Sequence, residues 1–545
     1  MPKTVTERTF DLRQWQAEAF RSATSAALPD GKAGVQGKKD FLCVATPGSG
    51  KTKFALSVAH YFLKEKYCER IVVVTPTDSL KKQWAAEASL FAGLDIDPEF
   101  SNSVGYEAPD YHGMAITYSL LGQDKKQIHK QLTFQKKTFV ILDEPHHMGE
   151  NLNWGESAKN AFDKATYRLL ISGTPFRGDD NPIPFVTYKD GVSVADYNYS
   201  YERAIKENVC RPVYFCLFDG KMKWKVAQEE FEHSFTDSLT PDQVSRRLKT
   251  AIDAKGKYVR DLISAANNKL TEVRRTHPTA GAMIFAATQK HAKQLADVVE
   301  EITGKKPPVV VSEESDSNDL LEEFKNSNER WLVSVKMVSE GVDVPRLRIG
   351  VYLTIVKAEL FFRQAVGRFV RVLKDLLYQD AFIFIPQDRD VVKLAENIQV
   401  ERDHALDEAE RDGTPGMEGQ TDLFGNADYI PALKGKFIPI GSEATDNKTI
   451  AVNVEINGGA KHSVDTRVPP DQQPVFMRKH NLREQINSLA RKVALKRKNG
   501  NPHAKPEWEW AHKQYMQSGG KKIELETVDE LLKRLNFYKD LLRRN

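Results

Sequence analysis

Phe41-Leu42-Cys43-Val44-Ala45-Thr46-Pro47-Gly48-Ser49-Gly50-Lys51-Thr52 is the stretch on which the fold turns. Its first five residues are apolar throughout rather than alternating, which is how a strand reads when both faces of a parallel sheet are covered. A glycine-bearing loop follows, and Lys53 to Lys66 then carries a helical period. Gly48 and Gly50 let the backbone curl around Ser49 so that its N–H groups face phosphates. In that arrangement Lys51 places a point charge on the β/γ-phosphates, and the Thr52 hydroxyl ligates Mg²⁺. Ala45 stands where the strict pattern has Gly, and a plain glycine-rich strand-to-helix turn is the competing reading.

The same apolar signature recurs at Ile71 to Thr75, Thr138 to Leu142 and Tyr167 to Ser172, and later at Ala282 to Ala287, Trp331 to Val335, Ile349 to Leu353 and Ala381 to Ile385. Helix-period segments alternate with these runs, so the expected fold class is α/β, with two tandem parallel-sheet domains. The first is expected at 1–190, carrying the phosphate loop, and the second at 280–390. Between them, 191–279 reads as a connector: Tyr197 to Asp219 as extended linking structure, then a helical stretch, Thr240 to Arg275, opened by the cap-and-proline signal Thr240-Pro241-Asp242. Residues 391–475 start as a charged helix, pass through the turn-rich Asp412 to Gly419 segment as an acidic linker, and hold a candidate hairpin at Ile450 to Ile456 with Asn457-Gly458-Gly459. A small α+β or helical C-terminal extension is expected at 476–545, with helices at Leu482 to Lys498 and Val528 to Arg544.

With 545 residues the chain is too long for one core. Its net charge of +4 neither requires nor excludes a nucleic-acid partner. The tail from Arg478 is more basic, with roughly twice as many Lys and Arg as Asp and Glu. Cys43, Cys68, Cys210 and Cys216 form no CxxC pair, which argues against a zinc site or disulfide framework and for a reducing compartment. With no signal-like start and no long apolar run, the chain is expected to be cytoplasmic, without a membrane partner.

Asp143 and Glu144 end an apolar strand and so fall at the carboxyl edge of the sheet beside the phosphate loop. There Asp143 would hold Mg²⁺, and Glu144 would orient and deprotonate the attacking water; a solvated acidic strand end is the plainer alternative. His146 is expected to hydrogen-bond toward Ser172 and Thr174, coupling nucleotide state to the far side of the domain, with the His146 and His147 side chains diverging. Arg368 and Arg371, three apart, would share one helix face with Gln364 and act as arginine fingers, unless they are a salt-bridged surface. Gly341 and Asp343 occupy a loop suited to ribose contact or to coupling, or are simply an exposed turn.

These segments, with Leu12-Arg13-Gln14-Trp15-Gln16 ahead of them, Val74-Thr75-Pro76-Thr77 after the second strand, and Thr117-Tyr118, resemble superfamily 2 helicases of the DExH type. The likeness is closest to the DNA-acting branch that includes type III restriction subunits, and it covers about residues 10 to 390. It implies RecA-like domains, ATP and Mg²⁺ in the cleft, Gln16 reading adenine, and Thr75, Pro76, Thr117, Tyr118 and Arg177 toward nucleic acid. Pro145 departs from the DEAH and DEAD boxes, while Ser172-Gly173-Thr174 and Gln364-x-x-Gly367-Arg368 point away from the DEAD-box RNA group, so DNA is favoured over RNA. The tail adds Arg491, Lys492, Lys496, Arg497 and Lys498 beside Trp508, Trp510 and Tyr515, either a phosphate-and-base grip or the core of a small domain that could meet protein partners. The expected activity is an ATP-dependent helicase; the alternatives are a duplex translocase in a restriction or defence complex and a non-catalytic scaffold.

Overall fold

The computed structural model describes residues 5, 7–27, 37–150, 152–173, 182–189, 191–226, 228–311, 317–335, 344–373, 376, 379–411, 437–448, 473–497 and 508–544. Packing divides the chain into two compact units. One comprises Met1–Val44, Gly50–Asn198 and His462–Asn545; the other comprises Ala45–Ser49 and Tyr199–Lys461.

The first unit holds β1 (Asp40–Ala45), β2 (Arg70–Thr75), β3 (Ile96–Asp97), β4 (Gly113–Thr117), β5 (Thr138–Asp143) and β6 (Tyr167–Ser172). A short antiparallel hairpin, β7 (Tyr188–Lys189) with β8 (Val192–Ser193), and β9 (Tyr197–Tyr199) follow. The sheet runs β3-β4-β2-β5-β6-β1-β9, and the ladders joining β3 through β1 are all parallel. Every residue of β2, β5 and β6 is buried, because helices cover both faces. Register brings Val44 opposite Ser172 and Asp143 opposite Ile171, so the ends of β1, β5 and β6 meet at one sheet edge.

The C-terminal helices Val475–Arg497, Trp508–Gln517 and Val528–Arg544 also pack in this unit. Their own small core is Ile486, Ala490, Leu531, Leu535 and Tyr538. Lys479, fully buried, bonds Asp110 at 2.6 Å and lies 4.1 Å over the Tyr111 ring, while Arg483 pairs with Glu99. Basic residues of the tail thus meet an acidic surface of the nucleotide-loop domain instead of all facing solvent.

In the second unit β10 (Val213–Val226), β11 (Glu229–Ser234), β12 (Gly281–Ala286), β13 (Val309–Val310), β14 (Trp331–Val335), β15 (Leu347–Leu353), β16 (Ala381–Pro386) and β17 (Phe437–Lys448) form one sheet. Its order is β11-β10-β16-β15-β12-β14-β13, with β17 on β10. It is parallel except where the long β10 takes β11 and β17 antiparallel. The expected linking structure at Tyr197 to Asp219 is therefore β9, a helix (Tyr201–Lys206) and the first half of β10. Thr240 to Arg275 breaks into two helices, Pro241–Ala251 and Lys257–Val273. The first begins in a capping box between Thr240 and Gln243, and the second restarts at Gly256. Within the expected acidic linker, Phe437–Lys448 is a strand of this sheet. The candidate hairpin at Ile450 to Ile456 lies outside the described residues.

Candidate nucleotide site

Lys51 opens the helix Lys51–Lys64, whose N-cap, Gly50, sits at φ 97° and offers no side-chain cap. The first N–H groups of a helix lack intrahelical partners, and an uncapped end leaves them for an anion. Gln16 braces this turn: its Nε2 donates to the Gly50 carbonyl at 2.9 Å while its Oε1 accepts from Arg13 N at 2.9 Å. The space is tight, since a Cβ on Gly50 would fall 2.8 Å from Gln16 Nε2.

Lys51 Nζ donates to Glu144 Oε1 at 2.9 Å, with both side chains largely shielded from solvent. Glu144 Oε2 accepts from Ser172 Oγ at 3.0 Å and Gly173 N at 3.1 Å. Burial pushes the Glu144 carboxyl up, but the Lys51 charge, His146 and the hydrogen bonds from Lys51 and the Gly173 N–H outweigh it and hold it at about 2, so it is ionised at working pH. Glu144 also has φ 46°, a left-handed conformation that is uncommon and costly for a residue with a side chain. It turns the chain sharply out of β5, and the bonds His147 N to Glu144 O, Met148 N to Pro145 O and Gly149 N to His146 O close a helical turn. For that reason His146 and His147 do not diverge as expected; their rings face each other with centroids 4.4 Å apart. His146 Nδ1 lies 3.6 Å from Glu144 Oε2. Ser172 thus meets the Glu144 carboxylate directly, and Thr174 lies outside the described residues.

Asp143, almost buried, accepts from Trp84 Nε1 at 2.8 Å through Oδ2. Thr52, at the second helical position, and Asp143, at the end of β5, would offer one hydroxyl and one carboxylate, and no group of three or more His, Cys, Asp or Glu able to hold a metal occurs among the described residues. Such a set suits Mg²⁺, which keeps waters and takes one or two carboxylates plus substrate phosphates, and it would not suit a cation needing an all-protein cage.

Thr75 and Thr117 stand opposite each other in the β2–β4 ladder, so the two segments expected to face nucleic acid do end side by side. Their side chains, however, are committed locally. Thr75 is fully buried, with its hydroxyl on Thr77 O at 3.0 Å, and Thr117 Oγ1 caps Leu120 N at 3.1 Å. Pro76 is half-buried beside them. Tyr118 corrects the expectation of a nucleic-acid contact: it is fully buried, and its hydroxyl donates to the Asp143 carbonyl at 2.9 Å. The support that Trp84 and Tyr118 give Asp143 did not follow from the sequence, where Tyr118 pointed toward nucleic acid and Trp84 carried no expectation. Arg177 lies outside the described residues.

In the second unit, Gln364 lies on the helix Glu359–Val366, which stops at Gly367. Arg368 follows in a turn, and Arg371 forms an isolated antiparallel bridge with Cys210, so the three do not share the helix face expected of them. The cause is local: Phe369 is fully buried against Gly350, and Arg211 N bonds Val370 O at 2.9 Å, pulling the chain out of helical geometry. Within the same unit, Gly48, at φ +83°, lies close enough that a Cβ there would sit 3.1 Å from Val370 and 3.3 Å from Arg371 Cδ. Gly341 and Asp343 lie outside the described residues.

Two family profiles match the chain: that described as "Type III restriction enzyme, res subunit" over residues 9–177 and "Helicase conserved C-terminal domain" over residues 262–373. An uncharacterized protein of Mycobacterium tuberculosis is 42% identical over 408 residues, covering 72% of this chain and 67% of that protein. The DNA 3'-5' translocase XPB2 of Sulfurisphaera tokodaii is 24% identical over 398 residues, covering 68% of this chain and 81% of that one. Among solved structures, a fragment of a putative HsdR subunit of a type I restriction enzyme from Vibrio vulnificus shares the fold, with a TM-score of 0.50 and 17% identity over 71% of this chain and 66% of that one. Fold and profiles together define a nucleic-acid-dependent helicase or translocase, an enzyme of a class that uses ATP. The chain belongs to the superfamily 2 helicases related to the type III restriction res subunit, with two RecA-like domains. No described helix is long and apolar enough to cross a membrane.

Proposed function

We propose that this protein is a DNA helicase that couples Mg-ATP hydrolysis to strand translocation and unwinding. The observation that carries the reading is the convergence on Glu144 of Lys51 from the phosphate loop and of Ser172 and Gly173 from the end of β6. A carboxylate so placed is held by groups on both the nucleotide side and the coupling side.

When bound, Mg-ATP supplies the transferable γ-phosphoryl group. Thr52 and Asp143 are the residues that would hold the metal, and Gln16, beside Gly50, would read the base. Lys51 exchanges Glu144 for phosphate oxygens, which frees the ionised Glu144 to orient a water and take its proton. Arg368 and Arg371 are the proposed arginine fingers, with Gln364 placing water or phosphate and Gly341 and Asp343 contacting ribose or coupling nucleic acid to ATP. His146, Ser172 and Thr174 relay nucleotide state, while Thr75, Pro76, Thr117 and Arg177 belong to the nucleic-acid side. The preference for DNA is supported by the res-subunit profile and by the DNA translocase named among the relatives.

The test is ATPase rate against single-stranded DNA, duplex DNA and RNA at stated salt, because phosphate contacts are salt-sensitive. Stimulation by DNA, lost in Lys51→Ala, is expected; stimulation by RNA alone overturns the assignment to DNA. Displacement of a triplex strand without opening of a tailed duplex would favour translocation along duplex DNA in a restriction or defence complex.

A further inference from the structure

Asp143 is gripped at two points by aromatic donors from two different elements. Trp84 Nε1 bonds its carboxylate at 2.8 Å and Tyr118 Oη bonds its carbonyl at 2.9 Å. Both side chains are buried, Trp84 at 2% and Tyr118 at 0% exposure, so neither bond competes freely with water. Their positions in the chain give the pair its meaning. Trp84 lies on the helix Asp78–Glu87, which starts directly after Thr75-Pro76-Thr77 and is capped by Thr77. Tyr118 is the first residue of the helix Tyr118–Gly122, capped by Thr117. The two helix starts are neighbours, since Thr75 and Thr117 are paired across the β2–β4 ladder.

An indole N–H on a carboxylate fixes its rotamer and occupies one oxygen, which sets the direction in which the other can coordinate. The indole is rigid, so a shift of its helix moves Nε1 by nearly the same amount. Tyr118 acts on the same residue from behind, holding the peptide that joins Asp143 to Glu144.

We propose that Trp84 and Tyr118 are positioning residues that aim the Asp143 carboxylate at Mg²⁺ and transmit strand binding at the ends of β2 and β4 to that carboxylate. The proposal rests on the reading of Asp143 as the metal carboxylate and, for the relay, of the ends of β2 and β4 as the nucleic-acid side. Its test uses the full-length protein and the Mg²⁺ dependence of affinity for a fluorescent ATP analogue, with ATPase stimulation by DNA measured alongside. Trp84→Phe removes the N–H and keeps the aromatic bulk. It is expected to raise the Mg²⁺ needed for tight nucleotide binding by about 10- to 100-fold, the usual effect of losing a metal's supporting hydrogen bond. Affinity in EDTA should stay at the wild-type value, and the ratio of DNA-stimulated to basal ATPase should fall. Tyr118→Phe, a gentler change that tests the pair even if Trp84→Phe does not fold, should shift both readouts in the same direction.

A Mg²⁺ dependence unchanged in folded Trp84→Phe or Tyr118→Phe overturns the proposal, even if thermal stability drops. Asp143→Asn separates the two levels. If it abolishes the Mg²⁺ dependence while the aromatic variants leave it intact, the metal site stands and the relay falls. If Asp143→Asn itself leaves the dependence unchanged, both fall.

Discussion

Replacing Glu144 by Gln should tighten ATP binding while it removes hydrolysis. Lys51 Nζ is bound to Glu144 Oε1 at 2.9 Å, with side-chain exposures of only 14% and 18%. Phosphate must take Lys51 away from this partner. A hydrogen bond to a charged group contributes about 1.5–3 kcal/mol net, and each 1.4 kcal/mol is a factor of ten in affinity. The pair therefore holds nucleotide affinity back by about 10- to 150-fold, part of which returns in the wild type once Glu144 finds a water to hold. Gln keeps an oxygen for Ser172 and Gly173 but offers Lys51 no charge, and a shielded ammonium without a counterion favours phosphate more strongly. About tenfold tighter binding of an ATP analogue by fluorescence titration is expected, with turnover down by about 10²-fold or more. A Glu144→Gln variant that binds no tighter and turns over at the wild-type rate refutes both the competition for Lys51 and the role of the carboxylate.

Two predictions concern the C-terminal helices. Lys479→Met leaves Asp110 without its buried cation, and breaking such a pair costs about 3–5 kcal/mol. The midpoint of urea unfolding should fall accordingly, with faster proteolysis in residues 473–497, and a loss of under about 1 kcal/mol would show the contact to be incidental. Burial raises the Asp97 carboxyl from its ordinary 3.8 to about 6, against the lowering influence of the Glu99 N–H, Lys479 and Arg483. A raised acid pKa favours the folded state at low pH, and that contribution is lost as pH rises from about 4 through 6. Asp97→Asn keeps an oxygen for Glu99 N and does not titrate. Its melting temperature relative to wild type should climb over that interval and level off above it, and a difference flat from pH 4 to 8 contradicts the argument.

The parallel sheets were legible because a strand covered on both faces has no polar positions to disguise it. Tyr167–Ser172 and Trp331–Val335 are found at the expected residues, and the other apolar runs differ from observed strands by one or two residues at an end. The sheet's edge was harder to read. β10 mixes Lys221, Lys223 and Lys225 with buried Met222 and Trp224, an alternation proper to an antiparallel strand, and its partner β17 is more than two hundred residues away. At the site, the phosphate loop and Asp143-Glu144 come together as their places at strand ends implied, but side-chain direction did not follow from spacing. The interval between Arg368 and Arg371 suggested a helix, and the burial of Phe369 with the bridge to Cys210 decided otherwise. Neither Trp84, which carried no signal, nor the Thr117-Tyr118 segment disclosed the bonds to Asp143, since these depend on which strand end lies beneath them.

The packing of residues 462–545 in the same unit as residues 50–198 has a consequence for the order of folding. On the ribosome the first sheet emerges early, yet Asp110 and Glu99 wait without Lys479 and Arg483 until the whole second sheet has been made. The intervening segment then behaves as a folded insertion closed by the docking of the last helices. Loop-closure entropy grows by only about 0.6 kcal/mol per doubling of length, so this long closure costs little more than one a few times shorter. The unit that emerges first is thus completed only after the segment between its parts has been synthesised.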